Sequence, residues 1–187
     1  MSNSPRSVKV LQRPELEPVS LGDAKRHLRL TVDQTDDDLY ILAIIATARR
    51  LIERRLGTSL MRQQLRATWA ASEETLEIPY SPLYNEAEYE PLIEADGVEV
   101  DDGDYTVDTD SKPSLIVFDP VPSGVLVVTY WAGVATTNEI PPQLRTAILL
   151  FVGHLYAHRE AVSEDGATEL PMAVEMLLAS ESITGAY

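Results

Sequence analysis

The longest regular pattern of apolar and polar positions in the chain lies between residues 36 and 56. Leucine, isoleucine and alanine recur there at intervals of three and four residues, as on one face of an amphipathic helix. Thr35 is a good N-cap, and the three aspartates after it lie where the positive end of a helix dipole favours carboxylates. Gly57 suits the position just after a helix. The pattern predicts a helix over 36–56 and, after the N-cap candidate Ser20, a shorter helix over 20–30.

A second helix-like stretch, over 142–158, is apolar nearly all round rather than on one face. Pro141 and Pro142 stand where a helix would begin. A helix without a polar face is buried on more than one side, so we expect a core helix, a subunit interface or both. A short last helix is predicted from Pro171, beyond a polar linker.

The residues between these helices, 63–132, form short apolar or alternating runs separated by Gly, Pro, Asp and Ser, which is typical of antiparallel strands. Asp96-Gly97 between two of the runs is a strong hairpin signal. The polar N-terminal residues, interrupted by prolines, predict an extended arm with one edge strand around 8–11. The predicted fold class is α+β: mainly a helical bundle, with a small antiparallel β insertion.

The same patterns predict how the 187 residues are organised. Residues 1–18 form the arm, residues 19–162 form one domain with the three larger helices and the β region, and residues 163–187 form a linker with a terminal helix. The absence of cysteine excludes disulfides, thiolate metal sites and a cysteine nucleophile. No apolar run approaches the ~18 residues that a membrane span needs.

The net charge of −15 is distributed unevenly. Residues 1–66 contain 12 basic and 8 acidic side chains, whereas residues 67–187 contain 3 basic and 22 acidic ones. Between Glu73 and Asp110 there are 14 carboxylates and no lysine or arginine. Because a protein that holds nucleic acid needs cations along the phosphates, this part is expected to repel DNA. Two interpretations stay open: the acids only keep the protein soluble, or DNA slides past them without sticking.

No residue pattern identifies a catalytic or metal site. His154 and His158 have the spacing of two zinc ligands on a helix, but Leu155 stands where a zinc protease has glutamate. The aspartates at 33–38 lack the glycine and glutamate of a calcium loop. Carboxylates are too numerous to exclude a glycosidase-type pair by counting, yet no pair is distinguished by its context. We expect no catalytic residue, no metal and no cofactor.

Several stretches follow one another in a characteristic order. They are VSLGDAKRHLR (19–29), the helix candidate at 36–53 with GTSL (57–60), IPYSPL (78–83), VTYWAG (128–133), the helix candidate at 141–162 with GHLY (153–156) and REAV (159–162), and a terminal segment with Leu170, Pro171, Val174, Leu177 and Leu178. In this order, over nearly the whole chain, they resemble the head–tail connector (adaptor or head-completion) family of tailed bacteriophages, also found in prophages and gene transfer agents. The arm and the acidic stretch 85–90 are less typical of that family.

The resemblance implies a structural protein rather than an enzyme. Members of that family form a homo-oligomeric ring, commonly twelve-fold, under the portal protein at the capsid vertex. The ring extends the DNA channel, through which DNA passes without specific binding, and it is the platform for the next neck or tail (stopper) protein. The expected location is the neck of a virion, after synthesis in the cytoplasm of the host bacterium, with no membrane contact.

Three groups of residues are predicted to make the contacts of such a ring. Contacts between subunits are expected from Arg49, Arg50, Arg54, Arg55, Leu149 and Phe151. Docking on the portal is expected from Leu170, Met172, Val174, Met176, Leu177 and Leu178. Acids of the channel or its rim are expected to be Glu86, Glu88, Glu90, Asp101, Asp102 and Asp104.

Two other functions stay open from the sequence. An acidic protein-interaction module, or a nucleic-acid mimic, predicts a monomer or dimer with a contiguous acidic face. A hydrolase that uses paired carboxylates predicts a pocket with two converging acids and a raised pKa. For the four arginines, one interpretation combines helix-dipole complementarity with intersubunit salt bridges, and the other is direct phosphate contact.

Overall fold

The computed structural model describes residues 4–71, 73–84, 86, 88–159 and 171–184. In chain order the elements are β1 (Ser7–Gln12), α1 (Leu21–His27), α2 (Asp38–Leu56), β2 (Gln63–Trp69), β3 (Thr75–Glu77), β4 (Leu92–Ala95), β5 (Val98–Glu99), β6 (Tyr105–Asp108), β7 (Leu115–Phe118), β8 (Leu126–Ala132), α3 (Pro142–Ala157) and α4 (Met172–Thr184). They divide into two compact units. A β unit joins the described N-terminal residues up to Glu15 to the described residues of Gly57–Ala135, and a helical unit joins Leu16–Leu56 to the described residues between Thr136 and Thr184.

The larger sheet of the β unit has five antiparallel strands in the order β1-β2-β8-β4-β5. Its centre is the β2–β8 pair, which runs without interruption from Gln63 opposite Ala132 to Trp69 opposite Leu126. Alternate residues of β2 are buried, as expected for a strand with one face on a core. The predicted hairpin at Asp96-Gly97 is confirmed: both residues have positive φ and join β4 to β5.

The smaller sheet has three antiparallel strands in the order β3-β7-β6. Residues of both sheets share one buried cluster, whose largest members are Trp69, Phe118 and Tyr130. The Tyr130 hydroxyl donates a hydrogen bond to the Pro79 carbonyl at 2.7 Å, so the polar end of this buried ring has a partner. Gly133, with φ +98°, ends β8 where a Cβ atom would lie 2.3 Å from a backbone oxygen, so only glycine fits.

The helical unit is organised around α3, which contacts α1, α2 and α4. α1 begins as predicted, with Ser20 and Asp23 in a reciprocal capping box. The predicted helices over 36–56 and 142–158 are confirmed within two residues at each end. Among the described residues, no helix has both the length and the apolar character needed to cross a bilayer.

The prediction of a mainly helical bundle with a small β insertion is wrong. The chain is 35% helical and 26% strand, and its described residues form two antiparallel sheets of five and three strands. The individual strands lie where the sequence predicted them, around 8–11 and within 63–132, but the prediction took them for a small insertion. β1, before the helices, joins the larger sheet, and the remaining strands complete the two sheets.

Candidate interaction surfaces

The arginines at the end of α2 do not form one exposed cluster. Arg49 is 2% exposed and is held by carboxylates of its own unit: its Nε lies 2.8 Å from Glu17 and a terminal nitrogen lies 2.6 Å from Glu53. A buried guanidinium with two carboxylates is not available to a neighbouring subunit, which corrects the expectation for Arg49. Arg50, Arg54 and Arg55 are exposed, so an intersubunit role stays a prediction for these three.

The two apolar residues predicted for intersubunit contacts also differ. Phe151 is fully buried and its ring is stacked with that of His154, with the centroids 6.3 Å apart, so it is a core residue of α3. Leu149 is half-buried, and its intersubunit role stays a prediction.

His158 lies one helical turn after His154, and the centroids of the two rings are 4.4 Å apart. Among the described residues there is no group of three or more potential metal ligands.

The terminal helix α4 has a buried face and an exposed face. Val174 and Leu178 are buried, and the helix contacts α3, so these two residues are not free to dock on a partner. Met172 and Met176 are 77% and 69% exposed, one turn apart. Leu177 is half-buried, and Leu170 lies outside the described residues. The two methionines are the most exposed of the described residues predicted to dock, and their flexible thioether chains suit an irregular partner surface; the docking role stays a prediction.

The predicted channel or rim acids all belong to the β unit. Asp104 is half-buried, and the other five are exposed: Glu86, Glu88, Glu90, Asp101 and Asp102. The Tyr105 hydroxyl donates to Asp102 at 3.2 Å. Burial, reinforced by the nearby charges of Asp102, Glu90 and Glu99, raises the pKa of Tyr105 to about 12. The acids around Tyr105 thus produce a local negative field.

Three carboxyl groups of the described residues have pKa values shifted away from the range of a general acid. The carboxyl groups of Asp23, Asp37 and Asp108 all have lowered pKa values, chiefly because hydrogen bonds stabilise their anions. A general acid needs the opposite shift.

An aromatic cluster in the β unit was not predicted from the sequence. Its members are Arg62, Tyr84, Tyr89 and Trp131, all half-buried. The Tyr84–Tyr89 and Tyr89–Trp131 rings meet edge to face at 5.2 and 5.3 Å, and the Arg62 guanidinium lies 4.7 Å from the Tyr89 centroid. A hydrogen bond to Glu86 raises the pKa of Tyr84. Trp, Tyr and Arg are enriched among the residues that contribute most to binding at protein interfaces. The members of this cluster come from separate stretches of the sequence, and only the fold brings them together.

A second unpredicted cluster connects the start of α2 to the end of α3. Arg159 donates to both carboxylate oxygens of Asp37, at 2.9 and 2.6 Å, and the Tyr156 hydroxyl donates to the same carboxylate at 2.5 Å. The guanidinium also lies over the rings of Tyr156 and Tyr40, at 4.2 and 4.7 Å from their centroids. The hydrogen bonds from Arg159 and Tyr156 lower the pKa of Asp37 to about 2. This Asp37 clamp fixes the C-terminal end of α3.

No protein-family model matches the chain, and no curated protein matches it. Solved structures do match. A chain in the neck of an empty gene transfer agent (GTA) particle, computed with C6 symmetry, has a TM-score of 0.71 and 19% identity, over 93% of this chain and 94% of that one. A chain in the virion of a native GTA particle has a TM-score of 0.69 and 20% identity, over 92% and 93% of the two chains. A chain in the neck of a native GTA particle, computed with C12 symmetry, has a TM-score of 0.63 and 16% identity, over 93% of both.

These matches define the class of fold. The chain folds, over nearly its whole length, like chains from the neck and virion of a phage-like particle. The resemblance to the head–tail connector family, drawn from stretches such as 19–29 and 128–133, is thereby confirmed at the level of the fold.

Proposed function

We propose that this protein is a structural head–tail connector of a tailed phage or a phage-like particle. The observation that carries the proposal is the likeness of fold over 93% of the chain to a chain in a GTA particle neck. The neck lies between the head and the tail, so a protein of this fold is suited to joining the two. The alternatives, a hydrolase and an acidic interaction module, have no comparable support from the fold.

In the proposed assembly, copies of the chain form a ring beneath the portal protein. The necks that contain similar chains were computed with C6 and C12 symmetry, which supports a cyclic arrangement and is compatible with twelve copies. The ring extends the DNA channel and serves as a platform for a neck or tail stopper protein. The exposed Arg50, Arg54 and Arg55, together with the half-buried Leu149, contribute contacts between neighbouring copies.

The acids of the β unit line the channel or its rim in this proposal. Polyanionic DNA is repelled by carboxylates, so a wall that bears Glu86, Glu88, Glu90, Asp101, Asp102 and Asp104 lets DNA pass without binding. The absence of lysine and arginine between Glu73 and Asp110 supports this assignment.

The segment 163–187 docks on the portal, with Met172 and Met176 as the described contact residues. We expect the double substitution Met172→Ser and Met176→Ser to abolish co-sedimentation with portal rings, because both side chains are exposed and available for burial. Leu39→Ser, which changes an 84% exposed leucine on α2, is the matched control and is expected to leave binding intact. Normal portal binding by the double variant, with an unchanged circular dichroism spectrum, refutes the docking assignment.

The decisive experiment is a mass measurement by native mass spectrometry and light scattering, on the protein alone and with a ring of the portal protein from the same particle. Closed rings in either condition support the proposed function. A monomer or dimer in both conditions refutes it and favours the acidic interaction module. Turnover of a small molecule by the purified protein also refutes it.

A further inference from the structure

The five-stranded sheet of the β unit has two open edges. β1 pairs only with β2 and β5 pairs only with β4, so each has a side that no described strand covers. Apolar side chains are exposed at both edges: Val10 is 53% and Leu11 46% exposed on β1, and Val98 is 70% exposed on β5. Open edges with exposed apolar residues are places where another chain can add.

The β1 edge is basic. Arg6, Lys9 and Arg13 are exposed, and none of them forms an ion pair with a carboxylate of the described residues. Lys9 stands directly opposite Arg66 of β2 in the strand register. Directly opposed like charges destabilise an antiparallel pair unless an anion lies against them. We call Arg6, Lys9 and Arg13 the basic edge.

The β5 edge has the same arrangement with the opposite sign. Glu94 of β4 stands directly opposite Glu99 of β5, so this pair too places like charges against each other. Asp101 and Asp102 follow immediately, and they line a surface hollow together with Glu99. Neither Glu94 nor Glu99 forms an ion pair within the described part of the chain. We call Glu94 and Glu99 the acidic edge; the neighbouring Asp101 and Asp102 keep the channel or rim role proposed above.

We propose that the basic edge of one copy docks against the acidic edge of the next copy, so that copies associate head to tail. This inference rests on the proposed ring and names the surfaces that build it. A cyclic ring requires two different, mutually complementary surfaces on each subunit, and the two edges have that character in charge and in exposed apolar area. At each contact, the basic pair Lys9–Arg66 of one copy faces the acidic pair Glu94–Glu99 of the next copy. Each like-charge pair is then next to charges of the opposite sign.

Side chains contribute more to this contact than main-chain pairing does. The four antiparallel pairings of the sheet leave β1 and β5 pointing in the same direction, so a continued sheet would pair them parallel. β5 has only two residues, which limits the number of backbone hydrogen bonds that it can form. Charge complementarity and the burial of Val10, Leu11 and Val98 are therefore the main source of affinity.

Charge reversal tests the inference. We expect Lys9→Glu, and separately Glu99→Lys, to reduce the ring population by about tenfold or more, because each places like charges across the contact. Within one copy each substitution creates an opposite-charge cross-strand pair, so the folded monomer is not weakened. A chain that carries both reversals is expected to form rings again. Asp110→Lys, the same charge change at an exposed acid outside the edge, is the control and leaves ring formation unchanged.

Cross-linking gives a second, independent test, because the natural chain has no cysteine. A mixture of Val10→Cys and Val98→Cys proteins, treated with a short bismaleimide, is expected to give cross-linked pairs, whereas neither variant alone does. Cross-linking of Val10→Cys protein with itself indicates a symmetric dimer and overturns the head-to-tail contact.

The outcomes separate this inference from the function on which it rests. Wild-type rings that tolerate both single reversals overturn the edge contact and leave the connector function intact. If the wild-type protein forms no rings either alone or with the portal, the proposed function is overturned, and the edge contact with it.

Discussion

Asp37 illustrates how single charged residues are held in the helical unit. Three hydrogen bonds from Arg159 and Tyr156 converge on its carboxylate, and the same guanidinium is stacked over two tyrosine rings. A carboxylate held in this way is favoured as the anion, which is why the pKa of Asp37 falls from 3.8 to about 2.

The shift of this pKa makes the contribution of Asp37 to stability depend on pH. Because the folded-state pKa is the lower one, the contribution is present above pH 3.8 and is lost as the pH falls through about 2. We expect the free energy of unfolding of Asp37→Asn to lie below that of the wild type at neutral pH, and the difference to shrink between about pH 4 and pH 2. Urea unfolding across this range measures it, with Asp33→Asn as an exposed control. A difference that does not change with pH contradicts the prediction.

Arg49 and Arg50 are neighbours in sequence with opposite environments. Arg49→Met leaves Glu17 and Glu53 without their guanidinium, and we expect it to lower the free energy of unfolding by about 3–5 kcal/mol. Arg50→Met changes an exposed side chain, and we expect an effect within about 0.5 kcal/mol. Chemical denaturation of the two variants checks this contrast. Equal effects would mean that Arg49 does not hold the segment before α1 against α2.

At the scale of elements, the terminal helix α4 packs one of its faces within its own unit and exposes another face. Val174 and Leu178 are buried on the side that contacts α3, whereas Met172 and Met176 lie exposed. The helix is therefore anchored in its own unit and still presents an apolar pair. An anchored helix loses less conformational entropy on docking than a free segment does.

This division predicts unequal effects of truncating side chains on α4. We expect Leu178→Ala to lower the free energy of unfolding by about 2–5 kcal/mol, because it removes buried methyl groups and leaves a cavity. Met176→Ala, two residues earlier on the exposed face, is expected to change stability by less than about 0.5 kcal/mol. Thermal or urea unfolding of both variants makes the comparison. A large effect of Met176→Ala would place the wrong face of the helix against α3.

At the scale of the whole molecule, the charge of −15 governs the response to nucleic acid. We expect duplex DNA to show no measurable retention by the protein at ordinary ionic strength, and lowering the salt concentration to produce none, because few cations are present to displace the counterions. Gel-shift or filter-binding titrations at several salt concentrations check this. Tight binding that weakens steeply with added salt would contradict both the channel assignment and the expectation that the acidic part of the chain repels DNA.

The elements that could be predicted from the sequence are those that local interactions specify. Ser20 caps α1, Asp96-Gly97 forms its hairpin and the helix over 142–158 begins at Pro142, because each depends on residues a few positions apart. The strands fall where they were predicted, around 8–11 and within 63–132, but how they join into sheets of five and three strands depends on pairing between residues far apart in the chain. The fold class therefore gave the strands too little weight.

The interaction surfaces were predicted only in part, because their chemistry depends on partners distant in the chain. Arg49 belongs to a run of arginines for which the sequence predicts intersubunit contacts, yet it is buried and pairs with Glu17, 32 residues earlier. Arg159 and Asp37 are 122 residues apart, and no pattern of spacing connects them. Arg50, Met172 and Met176 are exposed, and their intersubunit and docking roles stay predictions.

The sequence by itself determined where the helices lie, where the chain turns and how the charge is divided between its two parts. These properties depend on composition and on backbone preferences within a few residues. Only the tertiary structure decided which charges are paired inside the chain and which are left facing outward at the two open edges of the sheet. Strand order and burial bring together residues far apart in sequence, and the free energy of an ion pair depends on that distance and burial rather than on sequence spacing.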